Sequence, residues 1–132
     1  MCCAGAVGRA LYALLLWVAL HGGVVQQGYG PRYSPGVMER VSRNRDMPIV
    51  GCMVSSPVYP IGTWVWVAGL NTGAVEHCRI TDVSAPKDKA RHIRTKRVAE
   101  LGYQEAIRFC GARHINHRPE QCPILVVKLG AP

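Results

Sequence analysis

The sequence predicts a small, mainly β domain of barrel type, exported and held by disulfides, and three observations lead there. An apolar run, Ala10–Leu20, follows Arg9 and precedes Gly22 and Gly23. Beyond it lie four cysteines, Cys52, Cys78, Cys110 and Cys122. Between Ile49 and Leu129, short segments rich in β-formers alternate with turns built from Gly, Pro and Asn. A chain of 132 residues holds one domain.

The apolar run has 11 residues, where a membrane-spanning helix needs about 20. Residues 1–23 therefore read as a signal peptide rather than an anchor extending to Val25. No clean Ala-x-Ala marks a cleavage point between Ala19 and Gln27, and no Leu-x-x-Cys follows the run to carry a lipid. Removing the leader takes away Cys2, Cys3 and Arg9, which leaves 15 basic against 8 acidic residues and no stable membrane span. That excess favours anionic partners. Export turns the expectation toward cell-wall polysaccharide, peptidoglycan or a similar anionic polymer, and away from nucleic acid. Four cysteines in a small exported domain predict two disulfides. Three connectivities are possible; Cys52 with Cys78 and Cys110 with Cys122 is favoured, the second closing a short loop.

Residues 24–48 are rich in Gly, Pro, Ser and Arg without a sustained apolar period, and read as a flexible arm with one helical turn at Val37–Val41. The folded domain spans residues 49–132. Ile49–Ser55, bounded by Pro48 and Pro57, has the composition of a strand. After the turn Tyr59–Gly62, the segment Thr63–Ala68 alternates Trp64 and Trp66 with Val65 and Val67, so both faces are apolar and burial is expected. Asn71-Thr72-Gly73 turns the chain into a second strand, Ala74–Asp82, which completes a hairpin. Ser84–Arg97 reads as a charged, Pro-containing loop leading to a helix at Thr95–Leu101, stopped by Gly102. A second short helix is expected at Tyr103–Phe109, and Pro123–Leu129 closes the chain as a strand.

Pro60-Ile61-Gly62-Thr63, then Val65, Val67, Leu70, Gly73, Arg79-Ile80-Thr81-Asp82 and Pro86, resembles the core of rare lipoprotein A-like domains. The match is ungapped from Pro60 to Asp82 and continues more loosely through Arg91, Ile93, Ala99, Leu101-Gly102 and the last strand. The resemblance implies a six-stranded double-psi β-barrel with one or two short helices, related to barwin and expansin domains. Active members of that family are lytic transglycosylases that cut peptidoglycan without water. It also implies that Asp82 is the catalytic or ligand-binding acid. A carboxylic acid in a barrel groove can protonate a glycosidic oxygen and later take a proton from a sugar hydroxyl.

The family's His, four positions before the Pro of the turn, is here Ser56, which cannot carry a proton as imidazole does. The Arg-Gly that follows the acid is Val83-Ser84, and the usual Asp-Leu-Ser is Arg94-Thr95-Lys96. The site is therefore expected to be altered or degenerate. Glycosidases generally use two carboxylates; Glu76 and Asp88 are available but read as solvated. His77 and His92 are the imidazoles able to stand in for the missing one. Substrate contacts are expected from Ser56, Thr81, Lys87, Arg91 and His92. Trp64 and Trp66 have the chemistry to stack on sugars, though one belongs to the core.

Cys110, His114, His117 and Cys122 have the spacing of a tetrahedral zinc site, but an oxidising compartment favours pairing of the two cysteines. No cofactor is expected. The resemblance thus implies an exported glycan-binding protein with a transglycosylase site that is altered or degenerate. The alternative is a non-enzymatic extracellular interaction protein using the barrel as a disulfide-held scaffold.

Overall fold

A computed structural model describes residues 2–111 and 118–130, with side chains from residue 8 onward. Four helices, α1 (Cys2–His21), α2 (Val37–Asn44), α3 (Pro86–Arg94) and α4 (Tyr103–Cys110), surround one mixed sheet. Its strands are β1 (Gly23–Tyr29), β2 (Met53–Ser56), β3 (Trp64–Gly69), β4 (Val75–Val83), β5 (Glu100–Leu101) and β6 (Pro123–Leu129). They lie in the order β1-β6-β3-β4-β2-β5. Within this order β2 and β4 run parallel, and the other neighbours are antiparallel.

The sheet curls into a half-barrel whose two edges meet. Tyr29 and Arg32 form parallel bridges to Arg97 and Leu101. Four backbone hydrogen bonds make the seam: Tyr29 N–H to Lys96 (2.8 Å), Val98 N–H to Tyr29 (3.2 Å), Leu101 N–H to Pro31 (2.7 Å) and Tyr33 N–H to Leu101 (2.8 Å). Followed as a ring through this seam, the order keeps its neighbours when each strand is exchanged with the one three places along the chain. The antiparallel pair β1/β6 maps onto β4/β3, and the parallel pair β2/β4 maps onto the seam, where isolated parallel bridges join Tyr29 to Arg97 and Arg32 to Leu101.

Alternation decides the core. Val65 and Val67 of β3 point inward with Val54, Ile80, Leu101, Phe109, Ile124 and Val126, all buried. Trp64 and Trp66 point outward, so only one face of β3 reaches the barrel interior. Outside, Leu11, Leu14 and Val18 of α1 cover Trp66, Ala68, Val75, Leu125, Val127 and Leu129, while Trp64 stays 43% exposed. Among the described residues, no helix is long and apolar enough to cross a membrane.

The disulfides are Cys52–Cys78 and Cys110–Cys122, the pairing favoured on the sequence. Both tie buried sulfurs into the core, and both point to an oxidising, extracellular-like environment. The first joins the approach to β2 with the middle of β4. A buried charge also holds that approach: Glu105 of α4 accepts the Met53 N–H at 3.2 Å, and Arg108 donates to the Gly51 carbonyl at 3.0 Å. Burial pushes the Glu105 carboxyl upward, against its two backbone N–H donors and Arg108.

Two segments differ from expectation. Residues 24–48, expected as a flexible arm, supply β1, whose seven residues pair with β6, and α2, which buries Met38 and Ser42. Their order comes from remote partners rather than from a local apolar period. A side chain at Gly28 would strike the Lys96 carbonyl and Val98, so glycine is required where the seam closes. The second segment is Ser84–Arg97, expected as a loop before a helix at Thr95–Leu101. The helix instead occupies Pro86–Arg94, and residues 100–101 are strand. Pro86 opens the first turn, Asp88 sits at the positive end of the helix dipole, and Arg91, His92 and Arg94 sit at the negative end. Lys96, with φ of 58°, takes the left-handed conformation that glycine usually supplies after a helix.

Candidate functional site

The end of β4 is re-aimed by a β-bulge. Val54 pairs with Ile80 and Ser55 with Asp82, leaving Thr81 as the extra residue. Ile80 and Thr81 are consequently both buried, and Asp82 emerges at the rim with its side chain 20% exposed. Without the bulge, strict alternation would turn Asp82 inward beside Ile80.

Both carboxylate oxygens of Asp82 are engaged. The Arg45 guanidinium, just past α2, lies 2.9 Å from Oδ1, and the Tyr33 hydroxyl donates to Oδ2 across 3.4 Å. Tyr33 arrives from the other direction, fixed by its backbone bond to Leu101. Burial, and after it the negative charge of Glu100, drives the Tyr33 hydroxyl far above its ordinary range, so it stays a neutral phenol. Glu100 in turn lies 3.4 Å from His92 Nδ1, and Ser84 Oγ lies 2.7 Å from the same nitrogen. A polar chain therefore runs Glu100, His92, Ser84, with the buried His92 at its centre, and beside it Arg45 and Tyr33 hold the two oxygens of Asp82.

Beside this chain is a groove of about 460 Å³, lined by Ser56, Tyr59, Pro60, Val83, Ser84 and Lys89 among others. Val83 and Ser84, which directly follow Asp82, line this groove; Asp82 itself does not. A smaller cavity of about 60 Å³ lies on the other side of Pro57 and Val58 and is lined by His92, Ile93, Lys96 and Arg97.

The expected contact residues fall into four groups. Ser56 is buried, and its Oγ accepts the N–H groups of Val58 (3.1 Å) and Tyr59 (2.8 Å), so it shapes the groove wall by holding a turn. Thr81 is wholly buried and its hydroxyl oxygen has no hydrogen-bond partner among the described residues. Lys87 and Arg91 project from α3 into solvent, Arg91 paired with Asp88 at 3.1 Å. His92 belongs to the polar chain, whereas His77 lies on the outer face, stacked between Trp64 (4.8 Å) and Trp66 (4.6 Å).

Glu76 is bound to Arg108 and Asp88 to Arg91. The second carboxylate near Asp82 is Glu100, which the sequence hid inside an expected helix. Tyr33 and Arg45 were hidden inside the expected arm. The signal available for them was two tyrosines, Tyr29 and Tyr33, in a stretch otherwise poor in apolar residues.

Among the described residues, no three of His, Cys, Asp and Glu converge as metal ligands. The disulfide removes Cys110 and Cys122 from the zinc alternative, and His114 and His117 lie outside the described residues. Compared with known proteins, the chain matches no family model, no curated protein and no solved structure.

Proposed function

We propose that this is an exported protein that binds cell-wall glycan, peptidoglycan or a similar anionic polymer, and cleaves it as a lytic transglycosylase of altered site with Asp82 as the acid. The observation that carries this reading is the placement of Asp82. A bulge lifts it to the rim, where the two residues that follow it, Val83 and Ser84, line a groove and the Tyr33 hydroxyl reaches its Oδ2. The resemblance of Pro60–Asp82 to rare lipoprotein A-like domains supplies the chemistry. The curled six-stranded sheet supplies the number of strands that the double-psi barrel of those domains calls for. Removal of residues 1–23 as a leader, and release to the cell exterior or periplasm, fit the disulfides and belong to the same proposal.

In this mechanism Asp82 gives a proton to the glycosidic oxygen, the bond to the anomeric carbon breaks, and a hydroxyl of the same sugar closes on that carbon. The proton of that hydroxyl returns to the carboxylate, so no water and no cofactor is consumed. The exposed Lys87, Lys89 and Arg94 of α3 give the rim the positive charge that an anionic polymer needs.

A second reading has one observation in its favour. Asp82 is capped on both oxygens, and position 56 offers no imidazole, as expected of a scaffold that binds without reacting. Sedimentation with insoluble wall tests the binding common to the main proposal. The protein should be retained in 0.3 M salt, where a control protein of equal net charge is released; equal release of both would leave only the scaffold reading.

A further inference from the structure

The outer face of the β3–β4 hairpin carries a row of rings that the site around Asp82 leaves unused. Resting on the glycan-binding reading, we infer that Trp64, His77 and Arg79 form a second sugar subsite, which holds a length of wall glycan against the outside of β4 and leads it toward Asp82. The ligand is the sugar ring itself, together with the acetamido or carboxylate groups that such a polymer carries.

The rings come first. His77 lies between Trp64 and Trp66, with centroids 4.8 and 4.6 Å away, and its plane is 20° from that of Trp66. Cross-strand ring pairs stabilise a sheet, but that purpose is served best where the rings are covered. Trp66 packs with Leu14 and Val18 of α1, whereas Trp64 stays 43% exposed and His77 is exposed beside it. An indole steadied by its neighbour and open to water is a flat apolar surface on which the C–H face of a sugar ring can stack.

Charge adds to this. The Arg79 guanidinium stands 6.0 Å over the Trp64 ring. Among the described residues it makes no ion pair, and its Nε has no hydrogen-bond partner. The acids near it on β4 are already taken, Glu76 by Arg108 and Asp82 by Arg45. Arg79 therefore keeps its charge and donors for a carboxylate or acetamido oxygen laid over the indole.

Position completes the argument. Cys78 and Ile80 are buried, so His77 and Arg79 point out of the barrel, and the bulge at Thr81 brings Asp82 out to the rim as well. From His77 to Val83, which lines the groove, β4 covers about 20 Å at the rise of a strand. Rings, cation, acid and groove follow one another along one strand, an order that suits a linear polymer.

The test uses the full chain with Trp17→Phe, which leaves Trp64 and Trp66 as its only tryptophans, and a soluble N-acetylglucosamine hexamer as probe. The sugar should change the tryptophan emission saturably. By calorimetry, Kd should rise about tenfold in Trp64→Ala and in Arg79→Gln, and stay within about twofold in Trp64→Phe, which keeps a ring to stack on. No emission change, or a Trp64→Ala variant that binds the hexamer and sediments with insoluble wall as the reference does, overturns the subsite and leaves wall binding intact. The same emission change with polyglutamate, an anion without sugar, also overturns it, because charge alone then accounts for the binding. A reference protein released from wall in 0.3 M salt together with a control of equal charge overturns the glycan reading and the subsite with it.

Discussion

The β3–β4 hairpin and the segment 24–48 both deliver residues to the rim, but by different means. The hairpin is held by its own alternation and by neighbours in sequence: Val65 and Val67 bury themselves, β4 returns through a tight turn, and Cys78 is bolted to Cys52. The segment has little apolar side chain to bury. It is ordered by backbone pairing with β6 and residues 96–101, and by polar contacts from Tyr33 and Arg45 to one carboxylate. Asp82 thus sits on the locally patterned hairpin, while the groups that cap it sit on the segment held by remote partners.

The comparison is broken most strongly on the hairpin side. Replacing Cys52 and Cys78 by Ala opens a cross-link spanning 26 residues, and loop entropy puts the loss at about 3 to 4 kcal/mol. Chemical denaturation should show that loss, with the hairpin side of the site disordered first. A smaller effect is expected at the seam: Gly28→Ala forces a side chain against backbone and should cost about 1 to 3 kcal/mol, read as a lower denaturation midpoint. If Gly28→Ala proves neutral, the seam is not closed as described and the segment is looser still.

A pH scan separates the two regions further, because Glu105 secures β2 on the hairpin side. Burial raises its folded-state pKa above the unfolded value, so its contribution is fully present below the unfolded pKa and is lost as pH rises through the folded one. Wild type should lose stability over that rise, and Glu105→Gln should flatten the profile while its amide oxygen still accepts the Met53 N–H. The smallest effect belongs to Arg45→Ala. The pair it makes with Asp82 is exposed on the arginine side, 42%, and such pairs contribute less than about 1 kcal/mol. Thermal melting should therefore barely change, even though the cover over Asp82 is gone.

The same contrast explains what was legible in the sequence. The hairpin, the closing strand, the Tyr103 helix and the cysteine pairing all announce themselves through local alternation, turn residues and spacing. Asp82 was singled out by the resemblance of Pro60–Asp82 to rare lipoprotein A-like domains, not by local pattern. Tyr33, Arg45 and Glu100 were not legible, because each owes its position to a partner far away in the chain: Tyr33 to Leu101 and Asp82, Arg45 to Asp82, Glu100 to Ser55 across β2/β5. Helix α3 was misplaced for another reason. A proline and a run of charges compose a loop as readily as a helix, and only the fit of those charges to the two ends of the dipole separates the cases.

The central claim, that Asp82 is a working acid on wall glycan, is tested most directly by incubating the protein with purified peptidoglycan beside Asp82→Asn and analysing the soluble sugars. The account predicts anhydro-sugar products from the wild type and loss of those products, with wall binding retained, in the variant. Equal product from both, or none from a wild type that still binds wall, would contradict it.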